Sequence, residues 1–345
     1  MNKLTSRWRA SIKEKYRKEK KIAIDLGATN TRVYVKRQGF EVCEPSVVAV
    51  KKDMHGNNVI LAVGHEAEHM IDNAPDDIRA ARPMKDGVVA DYEVIEAIIR
   101  HCIGKVHNSR HLARPDIMIC VPTGITLVEK RAIEESARSA GACNVHFIEN
   151  ALAAAIGADL PVSPKVVVDI GSAATEVAVI ASSGIVCSRL LRVGGDNMTE
   201  ALRSYIKRQY NMLIGESLAE RIKIQIASAC PQDPKQQIEV NGRDMVTGNL
   251  QNIIITSGEA CKAISYLVDS IVQSIRTVLE QTPPELAADI VDNGIMLTGG
   301  GALLNGLAQL LKEATSLPVT LVDDPLSTII LGAGKALEDP LIPDK

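Results

Sequence analysis

Residues 24–35 read IDLGATNTRVYV, and residues 168–179 read VDIGSAATEVAV. The two stretches share an Asp, a Gly, a Thr and two Val residues at the same spacing, and most other positions are similar in kind. Each stretch has the pattern of a strand, a tight turn of small residues and a second strand. Two such copies in separate halves of one chain indicate a duplicated architecture.

The rest of the chain alternates short apolar runs with stretches of helical spacing, which is typical of an α/β protein. With 345 residues, the chain is longer than a single compact core usually is, so we expect two lobes. The apolar runs predict strands at 21–26, 31–35, 117–121 and 166–170, and the helical spacing predicts helices at 129–141, 197–210 and 257–280.

The repeated turns have the chemistry of a phosphate site, because successive backbone N–H groups of small residues can cradle phosphate oxygens. Asp25 and Asp169 precede the turns. They cannot bind phosphate directly, since both groups are anionic, but they can hold a hydrated Mg²⁺ that bridges carboxylate and phosphate. Two such turns facing each other would bind a triphosphate from both sides. The turn residues are Gly27, Ala28, Thr29 and Asn30 in the first copy, and Gly171, Ser172, Ala173 and Ala174 in the second.

A third segment, Gly299, Gly300, Gly301 and Ala302, follows a predicted strand at 294–297 and precedes a helix predicted to begin near Leu303. Glycines let the backbone approach a flat or anionic ligand closely, and a helix N-terminus favours negative charge. The sequence does not contain the Gly-x4-Gly-Lys-Ser/Thr pattern, which excludes a P-loop site.

This ordered set of two Asp-Gly turns and a Gly-rich segment resembles the superfamily of actin, hexokinase and the heat-shock chaperones. Further stretches are similar to the MreB family of bacterial actin homologues, and the resemblance runs from about residue 21 to 338. They are EPSVVAV at 44–50, RPMKDGVVADY at 82–92, VPTGI at 121–125, AAAIG at 153–157, VGGD at 193–196 and TPPELAADI at 282–290.

The resemblance implies an α/β, actin-like ATPase fold of two duplicated lobes, each with a large and a small subdomain, and ATP with Mg²⁺ in the cleft between them. The expected first lobe is 21–161 with a small subdomain at about 49–81. The expected second lobe is 162–330 with a small subdomain at about 198–260, and residues 331–345 return to the first lobe.

The resemblance also implies site residues. Glu149 is expected to orient the attacking water, so that Glu149, Asp25 and Asp169 form the catalytic set. The adenosine side of the nucleotide is expected to contact Glu220, Arg221, Ile222 and Lys223.

Three positions depart from the family pattern. In the first turn the expected hydroxyl moves from position 28 to position 29, and Glu149-Asn150-Ala151 replaces Glu-Glu-Pro. Residues 171–175 read GSAAT where three glycines and two threonines are usual. The added Cβ atoms are expected to strain a backbone that needs positive φ and to crowd the phosphate. We therefore predict that nucleotide binding is retained and that hydrolysis is slow.

The N-terminal segment is predicted to be a basic amphipathic arm over residues 1–20. Leu4, Trp8, Ile12 and Tyr16 recur at a spacing of four, and residues 1–21 hold nine Lys or Arg and two Glu. Their charge of +7 leaves about −10 for the rest of a chain whose net charge is −3. Such an arm can lie on an anionic membrane, although a solvated basic tail is the alternative. The family's second membrane contact is an apolar loop, and here the matching loop offers only Leu112.

The implied function is an ATP-dependent, membrane-associated cytoskeletal filament subunit that organises cell-wall synthesis and rod cell shape. Expected partners are further copies of the chain, other MreB-type subunits, the membrane surface and the cell-wall elongation machinery. The expected location is cytoplasmic, at the inner face of the cell membrane. Nucleic acid is not expected, because aromatic residues make up only 3% of the chain and its net charge is negative. The alternatives are a non-polymerising or co-polymerising regulatory paralogue with weak ATPase activity, and a small-molecule kinase of the same superfold.

Overall fold

The computed structural model describes residues 21–72, 78–85, 88–89, 91–106, 114–159, 164–182, 184–230 and 236–338. The predicted membrane residues Leu4, Trp8, Ile12 and Leu112 lie outside these ranges, so the membrane assignments stay predictions. Within the ranges, no helix combines the length and the apolar character needed to cross a membrane.

The described residues form eighteen strands and ten α-helices. The strands are β1 (Lys21–Leu26), β2 (Asn30–Val35), β3 (Gly39–Pro45), β4 (Val48–Lys52), β5 (Asn58–Val63), β6 (Ile78–Ala81), β7 (Met84–Lys85), β8 (Val88–Val89), β9 (Asp116–Val121), β10 (Val145–Glu149), β11 (Lys165–Ile170), β12 (Thr175–Ala181), β13 (Gly184–Leu191), β14 (Met212–Leu213), β15 (Gln237–Asp244), β16 (Leu250–Thr256), β17 (Ile295–Thr298) and β18 (Val319–Leu321). The helices are α1 (His65–Asp72), α2 (Tyr92–Val106), α3 (Leu127–Ala140), α4 (Asn150–Gly157), α5 (Gly195–Tyr210), α6 (Glu216–Ile226), α7 (Ser257–Gln281), α8 (Pro284–Asn293), α9 (Leu307–Thr315) and α10 (Thr328–Glu338).

Two five-stranded sheets form the framework, and they are built in the same way. In the first sheet, β1, β2 and β3 form an antiparallel meander, and β9 and β10 continue it in parallel beside β1. In the second sheet, β11, β12 and β13 form the meander, and β17 and β18 continue it in parallel beside β11. The duplication predicted from residues 24–35 and 168–179 is therefore confirmed.

Smaller sheets extend from each half. The order β5-β4-β6 makes a three-stranded sheet over residues 48–81, and β14-β15-β16 makes another over residues 212–256; β7 and β8 pair as a short ribbon. Both three-stranded sheets fall within the segments expected to form small subdomains. The boundaries of the lobes and subdomains stay predictions.

The cores are aliphatic, as the low aromatic content requires. Every residue of β9 is buried, because helices cover both faces of this parallel strand. The long helix α7 places Ala260, Ile264, Val268, Ile271 and Ile275 on one buried face at helical spacing. Each fully buried Val, Leu or Ile side chain contributes roughly 1.5–3 kcal/mol of hydrophobic free energy, so this stripe fixes α7 against the second sheet.

Local sequence signals set most helix ends. Thr126 and Glu129 form a capping box at the start of α3, and Gly141 ends this helix in the left-handed conformation, as predicted. The prediction of a helix beginning near Leu303 was wrong. Residues Gly300–Leu303 form a 3-10 helix, and α9 begins only at Leu307. The glycine run has a low helix propensity, so its conformation follows its packing rather than helical spacing.

The helices α4 and α10 cross at glycines between the two halves. A Cβ atom at Gly332 would lie 1.7 Å from the carbonyl oxygen of Ala153, and one at Gly157 would lie 2.0 Å from that of Thr328. The end of α10 also contacts β2, since the Glu338 carboxylate accepts hydrogen bonds from the Tyr34 hydroxyl and the Arg37 backbone N–H. The close crossing therefore depends on residues without side chains.

Replacing Gly332 by Ala tests this crossing. We expect Gly332→Ala to lower the free energy of unfolding by about 1–3 kcal/mol, because the added methyl group overpacks the contact with Ala153. Gly104→Ala in α2 is the matched control, since no atom lies within 4 Å of its added Cβ and Ala favours a helix. Urea unfolding of both variants measures the difference. Equal stability of the two variants would contradict the close crossing.

Candidate functional site

Asp25 and Asp169 meet where the two halves face each other. Asp25 lies near the end of β1, Asp169 lies near the end of β11, and both side chains are largely removed from solvent. The Arg32 Nη1 atom is 3.9 Å from the Asp25 Oδ2 atom. The structure thus brings together the two acids that the sequence had placed 144 positions apart, with one guanidinium beside them.

Burial disfavours the charged form of both acids. It raises the pKa of Asp25 to about 6, although the positive charge of Arg32 acts in the opposite direction. Burial also raises the pKa of Asp169 to about 7, and the nearby charge of Asp25 raises it further. Arg32 offsets only part of the negative charge of the two carboxylates. Binding of a cation beside them is therefore favourable and would restore their ionised form.

A third buried acid, Glu176, was missed by the sequence analysis. Its carboxyl group is buried, and burial followed by the charge of Asp169 raises its pKa to about 8. The cross-strand register pairs Asp169 with Glu176 in the second hairpin and Asp25 with Arg32 in the first. The signal was present in the repeat, because Glu176 occupies the position of Arg32 within an otherwise apolar strand.

The second turn is closed by a hydrogen bond within it and by two from the first turn of α5. The Gly171 N–H donates to the Ala174 carbonyl at 2.9 Å, and the carbonyls of Gly171 and Ser172 accept from the N–H groups of Gly195 and Asp196. None of residues 171–174 has positive φ. The expected backbone strain at Ser172 and Ala173 was therefore wrong, since this turn uses conformations that any residue can adopt. Crowding of the phosphate by the added side-chain atoms stays a prediction.

The first turn is similarly tight. A Cβ atom at Gly27 would lie 2.5 Å from the Asn30 carbonyl oxygen. The Thr29 carbonyl accepts a hydrogen bond from the Ser46 N–H at 2.8 Å, and the Ala28 carbonyl accepts one from the Arg82 guanidinium at 3.5 Å. These two hydrogen bonds fix the first turn to Ser46, directly after β3, and to Arg82.

The Gly-rich segment lies against the second hairpin. Gly299 has φ of +83°, and its added Cβ would lie 2.4 Å from the Asp169 Oδ1 atom; one at Gly301 would lie 2.2 Å from Ile170. A Cβ at Gly300 would meet only Leu326, at 3.3 Å, and Ala302 is buried. The strand before the segment pairs Thr298 with Asp169. The segment predicted to contact adenosine is therefore next to the predicted metal-binding acid.

A polar network connects α6 to the second turn. The Lys223 ammonium donates to the Gly195 carbonyl at 3.0 Å and lies 2.7 Å from the Glu220 carboxylate. The hydroxyl of Thr199 contacts both side chains. Glu220 and Lys223 thus face the site, whereas Arg221 is exposed and the Ile222 side chain is buried in the core.

Glu149 lies at the end of β10 and directly before α4. Its negative charge contributes to the raised pKa of Glu176. The Oδ1 atom of the next residue, Asn150, is buried and has no hydrogen-bond partner among the described residues. Buried polar atoms are normally paired, so this oxygen fits a place for water or ligand.

The family model described as MreB/Mbl protein matches residues 19–343. The chain belongs to the MreB/Mbl family. It is 49% identical to the cell shape-determining protein MreB of Escherichia coli (strain K12) over 322 residues, which are 92% of this chain and 93% of that protein. It is 44% identical to the cell shape-determining protein Mbl of Bacillus subtilis (strain 168) over 321 residues, which are 92% and 96% of the two chains.

Solved structures confirm the actin-like fold of this MreB/Mbl chain. The crystal structure of MreB5 of Spiroplasma citri bound to AMPPNP has a TM-score of 0.86 and 31% identity, and the match covers 93% of this chain and 97% of the other. The MamK double helical filament has a TM-score of 0.77 at 23% identity and covers 92% and 99%, which supports the fold alone.

The residues of this MreB/Mbl site fit a hydrated magnesium ion. Among the described residues, no three His, Cys, Asp or Glu side chains are grouped so that they could hold a metal. Mg²⁺ usually keeps several waters and binds through one or two carboxylates plus substrate phosphates. Asp25 and Asp169 supply such a pair beside the two turns.

Replacing Asp169 by Asn tests the charge state of this MreB/Mbl site without metal. Well below pH 3.8 the carboxyl is protonated in the folded and the unfolded chain. As pH rises, the unfolded chain releases this proton near 3.8 and the folded chain only near 7, so the free energy of unfolding falls across this window. We expect metal-free Asp169→Asn to be more stable than the wild type at pH 8, and this advantage to shrink toward pH 4.

Thermal unfolding in EDTA at pH 4, 6 and 8 measures this effect. The exposed Asp289→Asn in α8 is the control, for which we expect no comparable change with pH. An Asp169→Asn variant that is less stable than the wild type at pH 8 would show that the carboxylate is well compensated in the folded protein.

Proposed function

We propose that this MreB/Mbl protein binds ATP with Mg²⁺ between its two lobes. The observation that carries this proposal is the meeting of Asp25 and Asp169 at the ends of two equivalent hairpins. The Spiroplasma citri relative, which is 31% identical, has been solved with AMPPNP and with ADP. That support concerns the nucleotide; the metal is inferred from the acid pair.

Each part of the site then has a role. Backbone N–H groups of residues 27–30 and 172–174 bind phosphate oxygens, while the Gly171 N–H closes the second turn by donating to the Ala174 carbonyl. Asp25 and Asp169 hold the hydrated ion. When bound, Mg²⁺ supplies neutralisation of phosphate charge. Glu149 orients a water molecule for attack, since phosphoryl transfer needs mainly positioning and charge stabilisation.

The adenosine side of the ligand is assigned to α6 and the Gly-rich segment. Glu220 and Lys223 are held facing the second turn by their contacts with Thr199 and Gly195. Residues 299–302 offer a backbone without bulky side chains on the neighbouring wall. Arg221 is exposed and stays a predicted contact of the adenosine side, whereas Ile222 supports this region from the core, where its side chain lies.

The biological role follows from family membership. The curated relatives of 49% and 44% identity are named cell shape-determining proteins. We infer that this chain polymerises with copies of itself or with other MreB-type subunits at the inner face of the cell membrane. There it would guide the cell-wall elongation machinery, and its basic arm, residues 1–20, would attach the filament to anionic lipid.

Electron microscopy of the full chain on anionic liposomes tests polymerisation and attachment together. We expect filaments on lipid with ATP·Mg²⁺ and none without nucleotide. A variant lacking residues 1–20 is expected to form filaments in solution but to lose co-sedimentation with liposomes, because about 1 kcal/mol of attraction per basic residue is removed. Unchanged co-sedimentation counts against the arm. Filaments that form only after addition of a second MreB-type subunit would favour the co-polymerising alternative.

Slow hydrolysis is tested by restoring the family's glycines in the second turn. We expect the double variant Ser172→Gly, Ala173→Gly to release phosphate about tenfold faster than the wild type, on the order of 1.4 kcal/mol in the barrier. The reason is relief of contacts between added side-chain atoms and the ligand, since the backbone itself is unstrained. Equal rates in steady-state phosphate release would refute the role of these substitutions.

A further inference from the structure

The carboxyl group of Glu176 joins the two halves of the molecule. Glu176 lies in β12 of the second sheet and is only 3% exposed. Its Oε1 atom accepts a hydrogen bond from the Thr123 backbone N–H at 3.1 Å and another, shorter one from the Thr123 hydroxyl. Thr123 belongs to the turn between β9 and α3, so this contact connects the second hairpin to the end of a first-sheet strand.

A second segment from the first half reaches the same carboxyl group. The backbone N–H of Ala151, in the first turn of α4, lies near enough to lower the pKa of Glu176, although no hydrogen bond forms to the buried Oε2 atom among the described residues. Ala151 and Ala154 pack against Val167 and Ala178, which fixes α4 on this face of the second sheet. Since β9 and β10 are neighbouring parallel strands, Glu176 contacts the chain just beyond the carboxyl ends of both.

We propose that Glu176 is a positioning residue, which holds the Thr123 turn and the start of α4 from the second lobe and thereby places Glu149 at the phosphate site. Glu149 directly precedes α4, so a shift of the first helical turn shifts Glu149 as well. Glu176 is also the cross-strand partner of Asp169. The same side chain therefore fixes the position of Glu149, the proposed water-orienting residue, relative to the hairpin that carries Asp169. This inference rests on the proposed hydrolysis.

In its ionised form the carboxyl group suits this place because both of its oxygens are acceptors. Two donors of Thr123 converge on Oε1, and Oε2 is buried without a hydrogen-bond partner among the described residues, at a helix start where backbone N–H groups have no intrahelical partner. A glutamine keeps the shape but has a single acceptor oxygen, and its NH2 group would face another donor. Glu176→Gln is therefore a sharp test, and Thr123→Val removes only the hydroxyl donor at nearly constant volume.

Hydrogen–deuterium exchange of the nucleotide-free full chain tests the contact itself. We expect Glu176→Gln to exchange at least tenfold faster than the wild type at residues 122–126 and 150–154, although the substitution lies in the other half. Thr123→Val is expected to show the effect at 122–126. The exposed Glu285→Gln in α8 is the control. Unchanged exchange in both segments overturns the proposal, whatever the activity.

Phosphate release and ADP affinity separate positioning from general damage. We expect Glu176→Gln and Thr123→Val to lower the maximal rate at least tenfold with less than a twofold change in the Kd for ADP. A parallel loss of rate and ADP affinity would indicate a merely structural role and overturn the proposal. If Glu176→Gln does not fold, Thr123→Val decides by the same two criteria. A wild-type chain that releases no phosphate refutes the proposed hydrolysis, while the exchange result still decides whether Glu176 holds α4.

Discussion

The burial of Asp25, Asp169 and Glu176 where the two halves meet is the constraint on which the rest of the site depends. Removing a carboxylate from water is costly unless a cation or hydrogen bonds compensate it, and here Arg32 is the close counter-charge to Asp25. Each acid therefore has a raised pKa, with burial as the main cause. A divalent cation between the lobes would relieve this cost, which couples the proposed ligand to the contact between the lobes.

The backbone around the acids is arranged for close approach. Gly299 contacts the Asp169 carboxylate, Gly194 lies against the Ser172 carbonyl, and Gly332 and Gly157 let α4 and α10 touch. A side chain at any of these positions would separate elements that must meet for the turns to face each other. Helix crossing, turn closure and acid burial are thus consequences of the same close packing between the two halves.

Much of the fold could be predicted because its signals are local or repeated. The two copies of the hairpin, the strand at 117–121 and the helix ending at Gly141 depend on periodicity and on turn chemistry within a few residues. The 3-10 helix at Gly300–Leu303 could not be predicted in this way, since its shape is decided by contact with Ile170. The conformation of the second turn likewise depends on the N–H groups of Gly195 and Asp196, which donate to the carbonyls of Gly171 and Ser172.

The residues of the candidate site could likewise be predicted where a repeat or a family pattern contains them. Asp25 and Asp169 could be predicted from the repeat, because each copy has an Asp at the same position. Glu220 and Lys223 were predicted from the family resemblance. Glu176 was not found, since its importance lies in Thr123 and Ala151, which approach it only after both halves have folded. Its trace in the sequence is a charged position within an apolar strand, where the first copy has Arg32.

The position of Glu176 also explains why the two copies are not interchangeable. In the first hairpin the partner of the Asp is Arg32, which compensates its charge; in the second it is Glu176, another acid, whose pKa the charge of Asp169 raises. A symmetric pair of Asp–Arg hairpins would neutralise the cleft and leave less reason for a cation to bind. An Arg at position 176 would also present donors to the donor groups of Thr123. Glu176, at the position that Arg32 has in the first copy, therefore favours the binding of a cation in the cleft. It also gives the second hairpin a hydrogen-bond acceptor for Thr123 in the first half.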